Sequence, residues 1–342
     1  MDNENGMIGA IVGDIVGSRF EWDNRKTKDF ELFVTRDDYV WKVSKGYTEA
    51  KSAYEAENKE ESSRRWWQWW KRRKRLGSIL SESGSLLSSS IKVDADAPRH
   101  PFCNTDQACY YTDDTVMTLA VADALIKCKD NGGDLGAVAI MCMQEFGRSF
   151  PNAGYGGHFH QWLHDDNPQP YNSWGNGAAM RVSACGWAGR TLDEVKAMSR
   201  AVTKVSHDHR EGIKGAEATA VATFLARTGK TMEEIKAVVV SDYYPLGFTL
   251  DEIRPTYAFD VSCQGSVPQA LEAFFESKSF EDAIRNAISI GGDSDTIGAI
   301  CGAVAGAYYG VPADIRAKAE SFLDGRLLET LHAFEREFCV AI

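Results

Sequence analysis

Apolar residues recur at helical spacing through most of this sequence, and that periodicity limits its possible folds more than any other feature. In residues 115–126 they fall at i, i+3 and i+4, and residues 213–226 repeat the pattern. The run of three valines at 238–240, the strongest candidate for a strand, continues a helical pattern instead. We therefore predict an all-α domain, with further helices at 192–204, 232–240, 267–276, 280–290, 296–309 and 313–335.

Two of these predicted helices have recognisable starts. Ser266 precedes Val267 and Pro268, and proline is favoured in the first turn of a helix. Ser279 precedes a phenylalanine and two acidic residues, which suits both side-chain capping and the helix dipole. We expect helices to begin directly after these two serines.

Composition and charge exclude several classes of protein. The 342 residues carry a formal net charge of -11, which argues against a surface that coats nucleic acid. The eight cysteines include no C-x-x-C pair, and a disulfide framework is not expected. The acidic N-terminus does not resemble a signal peptide, and the uncharged stretch 296–313 is too weakly hydrophobic for a membrane span. We predict a cytoplasmic protein that binds neither nucleic acid nor membranes.

The segment 42–105 differs in composition from the rest of the chain. It is polar and charged, and its core at 64–75 (RRWWQWWKRRKR) holds seven basic residues and four tryptophans. This local reversal of charge marks an insertion within one domain of residues 1–342. The insertion either packs on the acidic body of its own domain or binds a partner.

Two short acidic clusters stand where helices are predicted to begin. They are Thr112-Asp113-Asp114-Thr115 and Asp293-Ser294-Asp295-Thr296, the second after two glycines that permit a tight turn. One interpretation is N-capping, since Asp and Thr satisfy free N–H groups at helix starts. The other is a site for Mg²⁺ or Mn²⁺, which prefer oxygen ligands of this kind. If the clusters converge, their carboxylates cannot all stay ionised without a bound cation.

Several motifs, in order, resemble those of the ADP-ribosylglycohydrolase family, which includes dinitrogenase reductase-activating glycohydrolase and the ADP-ribosyl-acceptor hydrolases. The resemblance covers nearly the whole chain apart from the insertion. The similar segments are 8–21 (IGAIVGDIVGSRFE), 111–118 (YTDDTVMT), 173–181 (SWGNGAAMR), 206–207 (SH) and 289–296 (SIGGDSDT).

The resemblance implies a single orthogonal bundle of helices around a binuclear metal site that holds two Mg²⁺ or Mn²⁺ ions. By position in the motifs, the metal ligands would be Thr112, Asp113, Asp114, Asp293, Asp295 and Thr296. If residues 8–21 form one helix, Asp14 and Glu21 lie two turns apart on one face, both towards the metals. We expect Asp14 to orient ligands rather than to bind metal.

The family's reaction is hydrolysis of the bond between ADP-ribose and a protein side chain. The resemblance implies an arginine N-glycoside or a serine O-glycoside, and we favour arginine. Metal ions would orient the ribose and activate water, and a carboxylate would take the proton. The catalytic candidates are Glu21, Asp114 and Asp295, and the sequence does not choose the base among them.

The remaining motifs supply candidate substrate-binding residues. The segment Ser173-Trp174-Gly175-Asn176-Gly177 can cradle a diphosphate or ribose, although a plain tight turn would look the same. Tyr155, between two glycines, can offer an aromatic face to the adenine or ribose. His207 is expected in the pocket and His209 on the surface.

Three functional hypotheses follow from these observations. The first is an active, monomeric hydrolase that acts on ADP-ribosylated proteins and so reverses mono-ADP-ribosylation. The second is an antitoxin or immunity protein that uses the insertion to block a cognate ADP-ribosyltransferase. The third is a degenerate module that binds ADP-ribose without cleaving it, and the complete set of six ligand-type residues argues against it.

Overall fold

A computed structural model describes residues 6–35, 38 and 108–339 of the chain. Fourteen α-helices lie in this described part, and its only β-type pairing is an isolated bridge between Gly175 and Ser262. The all-α prediction is therefore confirmed. The helices are α1 Ile8–Gly17, α2 Asp113–Asn131, α3 Leu135–Ser149, α4 Gly157–His164, α5 Ser183–Ala188, α6 Leu192–Thr203, α7 Arg210–Arg227, α8 Met232–Asp242, α9 Leu250–Ile253, α10 Cys263–Phe275, α11 Phe280–Ser289, α12 Ser294–Tyr309, α13 Ala313–Glu320 and α14 Gly325–Phe338.

The chain divides into two compact units. Residues Met1–Leu32 and Tyr110–Ile342 form one unit, and Phe33–Cys109 forms the other. The predicted insertion, 42–105, lies outside the described residues, so its role stays a prediction. In the part of the chain that the structure describes, every helix is too short or too polar to cross a membrane.

Three details of the predicted helices are wrong. The helix at 267–276 begins at Cys263, because Ser262 rather than Ser266 accepts the capping hydrogen bond, from the Gly265 N–H at 3.0 Å. The stretch 313–335 is broken into α13 and α14, because Asp324 caps a new start by accepting from Leu327 N–H at 2.9 Å. The predicted cap at Ser279 is confirmed, since it accepts from Asp282 N–H at 3.1 Å.

The third error concerns the first helix. We expected residues 8–21 to form one helix, but α1 ends at Gly17 and the chain continues in turns. The Phe20 N–H donates to Gly17 O and the Asp23 N–H donates to Phe20 O. Glu21 is therefore carried by a turn and not by the helix face that carries Asp14.

Helix α1 is buried along its whole length and packs antiparallel on α12 with almost no space between the backbones. Glycines spaced four apart face each other: a Cβ at Gly9 would overlap the Gly302 carbonyl, and one at Gly13 the Gly298 carbonyl. One turn further on, Gly17 lies against Ser294 O. This contact places the last turn of α1 beside the first turn of α12.

The close contact between the glycines of α1 and α12 predicts that one added methyl group will destabilise the protein strongly. Gly13→Ala should lower the free energy of unfolding by about 2 kcal/mol or more, because the clash is with backbone that cannot rotate away. Urea unfolding followed by circular dichroism measures the difference. Gly325→Ala is the matched control, since a Cβ there meets open space, and it should stay within about 1 kcal/mol of the parent. Equal stability of the two variants would contradict the packing argument.

Candidate active site

The two acidic clusters meet, although they are far apart in the sequence. The first lies at the start of α2 and the second at the start of α12. The Thr296 hydroxyl donates to Asp114 Oδ2 at 3.2 Å and so links them directly. Gly291 and Gly292, with φ of 73° and 77°, make the tight turn that leads into the second cluster.

Carboxylate oxygens from both clusters form two overlapping groups. Asp14, Asp114 and Asp295 make one group, and Glu21, Asp293 and Asp295 make the other. Within each group the oxygens lie within 4.8 Å of one another, and Asp295 belongs to both. Oxygen ligands at this density are what a hard divalent cation requires, and a shared carboxylate suits two neighbouring ions.

N-capping accounts for part of the first cluster and for little of the second. Thr112 caps α2 by accepting from Asp114 N–H at 3.2 Å, and its hydroxyl donates to Asp14 Oδ1 at 2.7 Å. One lone pair of that hydroxyl is left for a ligand. Asp293 occupies the capping position of α12, but its side chain makes no capping hydrogen bond. Asp295 Oδ1 accepts from the Thr296 N–H at 3.0 Å, so one carboxylate of the second cluster binds its own helix and the other does not.

The electrostatics of the clusters favour a bound positive charge. Burial raises the pKa of Asp114 well above its ordinary value, and the neighbouring carboxylates, Asp295 first, raise it further. Burial and then Asp293 do the same to the pKa of Asp295, and burial raises the pKa of Asp293 to about 6. Asp114 Oδ1 is also buried without a hydrogen-bond partner among the described residues. A cation would satisfy that oxygen and favour the ionised forms.

Asp14 accepts four hydrogen bonds from the first cluster. Its Oδ2 accepts from the Thr112 N–H at 2.8 Å and from the Thr115 N–H and hydroxyl at 3.0 and 2.5 Å. Its Oδ1 accepts from the Thr112 hydroxyl. These bonds hold the start of α2 against α1. Because Asp14 also belongs to the first carboxylate group, its orienting role stays a prediction.

A cavity of about 520 Å³ opens beside the carboxylates. Five of the predicted substrate residues line it: Ser173, Gly175, Asn176, Gly177 and His207. The other two, Trp174 and Tyr155, are not among its lining residues. Trp174 is exposed with its ring 5.4 Å from that of His209, and Tyr155 packs against Phe159 at 6.1 Å. Five of the predicted metal ligands line the cavity: Asp113, Asp114, Asp293, Asp295 and Thr296. Thr112 is not among its lining residues.

Two of the lining residues have clear local roles. The Asn176 amide donates to Asp293 Oδ2 at 2.7 Å and to Ser266 Oγ at 2.9 Å, so this side chain holds a carboxylate. The His207 Nδ1 lies 2.9 Å from Ser206 Oγ. Burial, and then the nearby Arg181, lower the pKa of His207 well below its ordinary value, so the imidazole that faces the cavity is neutral.

The cavity-lining residues that sequence reasoning missed include Arg181, Trp22 and Phe259. Arg181 is buried and donates to Ser206 Oγ at 2.8 Å, and no carboxylate pairs with it among the described residues. Burial lowers its pKa to about 10, so it stays cationic. Its place at the end of the motif 173–181 was a usable signal, whereas nothing in the sequence brings Trp22 and Phe259 together.

The hydrogen bond from Asn176 to Asp293 predicts an indirect effect on metal binding. Asn176→Ala should weaken Mn²⁺ binding by about tenfold or more, as losses of groups that orient ligands do, while leaving the fold intact. Titration calorimetry with Mn²⁺ measures this. Asn152→Ala, at an exposed position, is the matched control and should bind as the parent does. If both variants bind Mn²⁺ equally, Asn176 does not position a ligand.

The sequence of this chain is similar to those of known proteins. A family model described as ADP-ribosylglycohydrolase matches residues 4–338. The mouse ADP-ribosylhydrolase ARH3 is 27% identical over 317 residues, which cover 74% of this chain and 85% of the relative. The ADP-ribosylarginine hydrolase Tri1 of Pseudomonas putida is 27% identical over 228 residues, 59% of each chain.

A solved structure is also similar. It is described as an ADP-ribosylglycohydrolase-related protein complex, and its TM-score is 0.48 at 24% identity, over 67% of this chain and 79% of that chain. The family match spans both acidic clusters and the whole wall of the cavity described above. The chain belongs to the ADP-ribosylglycohydrolase family.

Proposed function

We propose that this protein hydrolyses the bond between ADP-ribose and a modified protein side chain, with arginine favoured over serine as the acceptor. The observation that carries the proposal is the meeting of two overlapping carboxylate groups at one cavity. Glu21, Asp113, Asp114, Asp293 and Asp295 all line that cavity. A site that only bound ADP-ribose would gain nothing from so many buried acids beside an anionic ligand.

Two Mg²⁺ or Mn²⁺ ions would be held by the six residues that the motifs predict. These are Thr112, Asp113, Asp114, Asp293, Asp295 and Thr296. When bound, such ions orient ribose hydroxyls and lower the pKa of water. The unpartnered Asp114 Oδ1 and the sharing of Asp295 between both carboxylate groups support this ligand set.

Glu21 is our first choice for the general base. It lies in the cavity wall and its carboxylate is grouped with those of Asp293 and Asp295. Glu21 lies in a turn rather than in α1, and it is half-buried at the cavity. The Asp14 carboxylate, in contrast, already accepts hydrogen bonds from Thr112 and Thr115. Glu21 would take the proton from the attacking water as the bond from the ribose to the acceptor breaks. Asp114 and Asp295 remain the alternative catalytic carboxylates.

The ADP part of the substrate would lie against the wall that offers N–H donors and positive charge. Helix α4 starts at Gly157 without a side-chain cap, and Gly156 and Gly157 line the cavity. Free N–H groups at a helix start bind phosphates well. The segment 173–177, the neutral His207 and the cationic Arg181 lie on the same cavity.

The preference for arginine has two supports. An arginine acceptor carries positive charge, and Glu21, a carboxylate outside the proposed metal ligands, lines the cavity and attracts it. The relative Tri1 is named as an ADP-ribosylarginine hydrolase. A monomeric state, a cytoplasmic location and inhibition of a cognate ADP-ribosyltransferase stay further predictions of the sequence.

The decisive experiment measures release of ADP-ribose from arginine- and serine-modified peptides, with Mg²⁺, with Mn²⁺ and with excess EDTA. We expect hydrolysis of the arginine peptide at the higher rate, and its loss in EDTA. Asp295→Asn should lower kcat by about 10²-fold or more, because this residue serves both carboxylate groups. Asp166→Asn, at an exposed position, should leave the rate unchanged. Full activity in EDTA would refute the metal-dependent reaction.

Loss of the proposed base should separate binding from turnover. Glu21→Gln should reduce kcat by about 10²-fold or more, while the Kd for ADP-ribose stays within about threefold of the parent. Glu329→Gln, on the exposed face of α14, is the control and should retain full activity. An unchanged kcat in Glu21→Gln would transfer the role of base to the aspartates.

A further inference from the structure

Two exposed aromatic rings stand together at the cavity. Trp22 is 54% exposed and Phe259 is 42% exposed, and their rings stack with centroids 4.8 Å apart and planes 18° apart. Both line the cavity, as does the exposed Val261. Large apolar side chains with this exposure are few in the described part of the chain, and three of them share this one place. Such clustering marks a binding surface rather than chance exposure.

Hydrogen bonds from side chains to backbone carbonyls fix the segments that carry the two rings. Lys26, in the segment after Trp22, donates from Nζ to Tyr257 O at 2.6 Å and to Ile290 O at 2.5 Å. The Tyr257 hydroxyl donates to Gly265 O at 2.6 Å. The turn and the loop are therefore tied to each other and to the end of α11. The stacked pair is a preorganised surface, which reduces the entropy lost on binding.

Charge indicates what this surface recognises. Trp22 directly follows Glu21, whose carboxylate lines the same cavity and is not among the proposed metal ligands. Aromatic faces attract cations, tryptophan most strongly, and a planar guanidinium also stacks on them. An aromatic face beside a carboxylate therefore suits a guanidinium, whereas the neutral O-glycoside of a serine offers it no cation to bind.

We propose that the Trp22–Phe259 pair binds the guanidinium of the ADP-ribosylated arginine and so determines which acceptor the enzyme accepts. The proposal rests on the proposed function and adds to it the residues that recognise the acceptor side chain. Glu21, adjacent in sequence to Trp22, is thereby placed at the junction between the acceptor and the ribose. Trp22 and Phe259 are specificity residues and take no part in proton transfer.

The test compares Trp22→Ala, Phe259→Ala, Trp22→Phe and the double alanine variant with the parent. For each, kcat and KM are measured on one peptide carrying ADP-ribose on arginine or on serine, and the Kd of free ADP-ribose by calorimetry. Trp22→Ala should raise KM for the arginine peptide about tenfold and leave kcat within about twofold. Values for the serine peptide and for free ADP-ribose should stay within about twofold of the parent.

The conservative and double variants sharpen the result. Trp22→Phe should recover most of the loss, because it restores an aromatic face. The double variant should lose less than the product of the single losses, since the two rings act as one surface. Met141→Ala, an exposed apolar side chain that does not line the cavity, is the control and should match the parent.

Two results would overturn the proposal. If Trp22→Ala weakens the binding of both peptides and of free ADP-ribose equally, the rings bind the adenine instead. Unchanged KM for the arginine peptide in Trp22→Ala would mean that they hold nothing. If the parent cleaves no ADP-ribosylarginine, that part of the proposed function fails by itself. The pair is then judged by binding alone: Trp22→Ala must still weaken the uncleaved arginine peptide about tenfold relative to free ADP-ribose.

Discussion

The rest of the structure depends on the close antiparallel contact between α1 and α12. Glycines at every fourth position remove the side chains that would hold the two helices apart, so their backbones touch. Packing at this distance opposes sliding or rotation, because five of these glycines face a carbonyl of the partner helix: Gly9, Gly13, Gly17, Gly298 and Gly302. The end of α1 and the start of α12 are therefore fixed relative to each other, and both carry the acids of the candidate site.

That contact has an electrostatic cost, and the surrounding residues reduce it. Four aspartates become buried at one point, where burial raises all four pKa values and neighbouring carboxylates raise those of Asp114, Asp293 and Asp295 further. Asp14 receives four hydrogen bonds from Thr112 and Thr115, and Asp293 receives one from Asn176. Asp114 Oδ1 receives none among the described residues. Hydrogen bonds thus stabilise Asp14 and Asp293, whereas Asp114 Oδ1 would be satisfied by a bound cation.

Much of the fold could be predicted from the sequence, because helix periodicity and capping act over a few residues. The helices around 115–126 and 213–226 and the cap at Ser279 are local features of this kind. The early end of α1 could not be predicted, since the apolar pattern continues to Phe20 and the turns that follow are set by tertiary contacts. The capping serine of α10 was misjudged because proline's preference for a first turn is only a tendency, and Ser262 provides the stronger cap.

The candidate site was predictable to the extent that its residues are neighbours in sequence. Each acidic cluster is a short motif, and resemblance to a family supplied the expectation that they meet. Asn176 lines the cavity, and its role in binding substrate stays a prediction. Its amide also binds Asp293, a contact that could not be predicted because only the fold brings α10, α12 and the segment 173–177 together. The Trp22–Phe259 pair has no local pattern at all, since each ring becomes part of a surface only through the other.

The link between Ser294 and the Phe20 carbonyl, 274 residues apart in the sequence, has a consequence for biosynthesis. Domains fold as the chain is made, from the N-terminus onwards. Helix α1, apolar and lined with glycine, is synthesised long before α12, the helix against which it packs. During that interval its buried face is exposed to water, and the acidic centre cannot assemble. Any activity that depends on this centre therefore arises only after α12 has been synthesised.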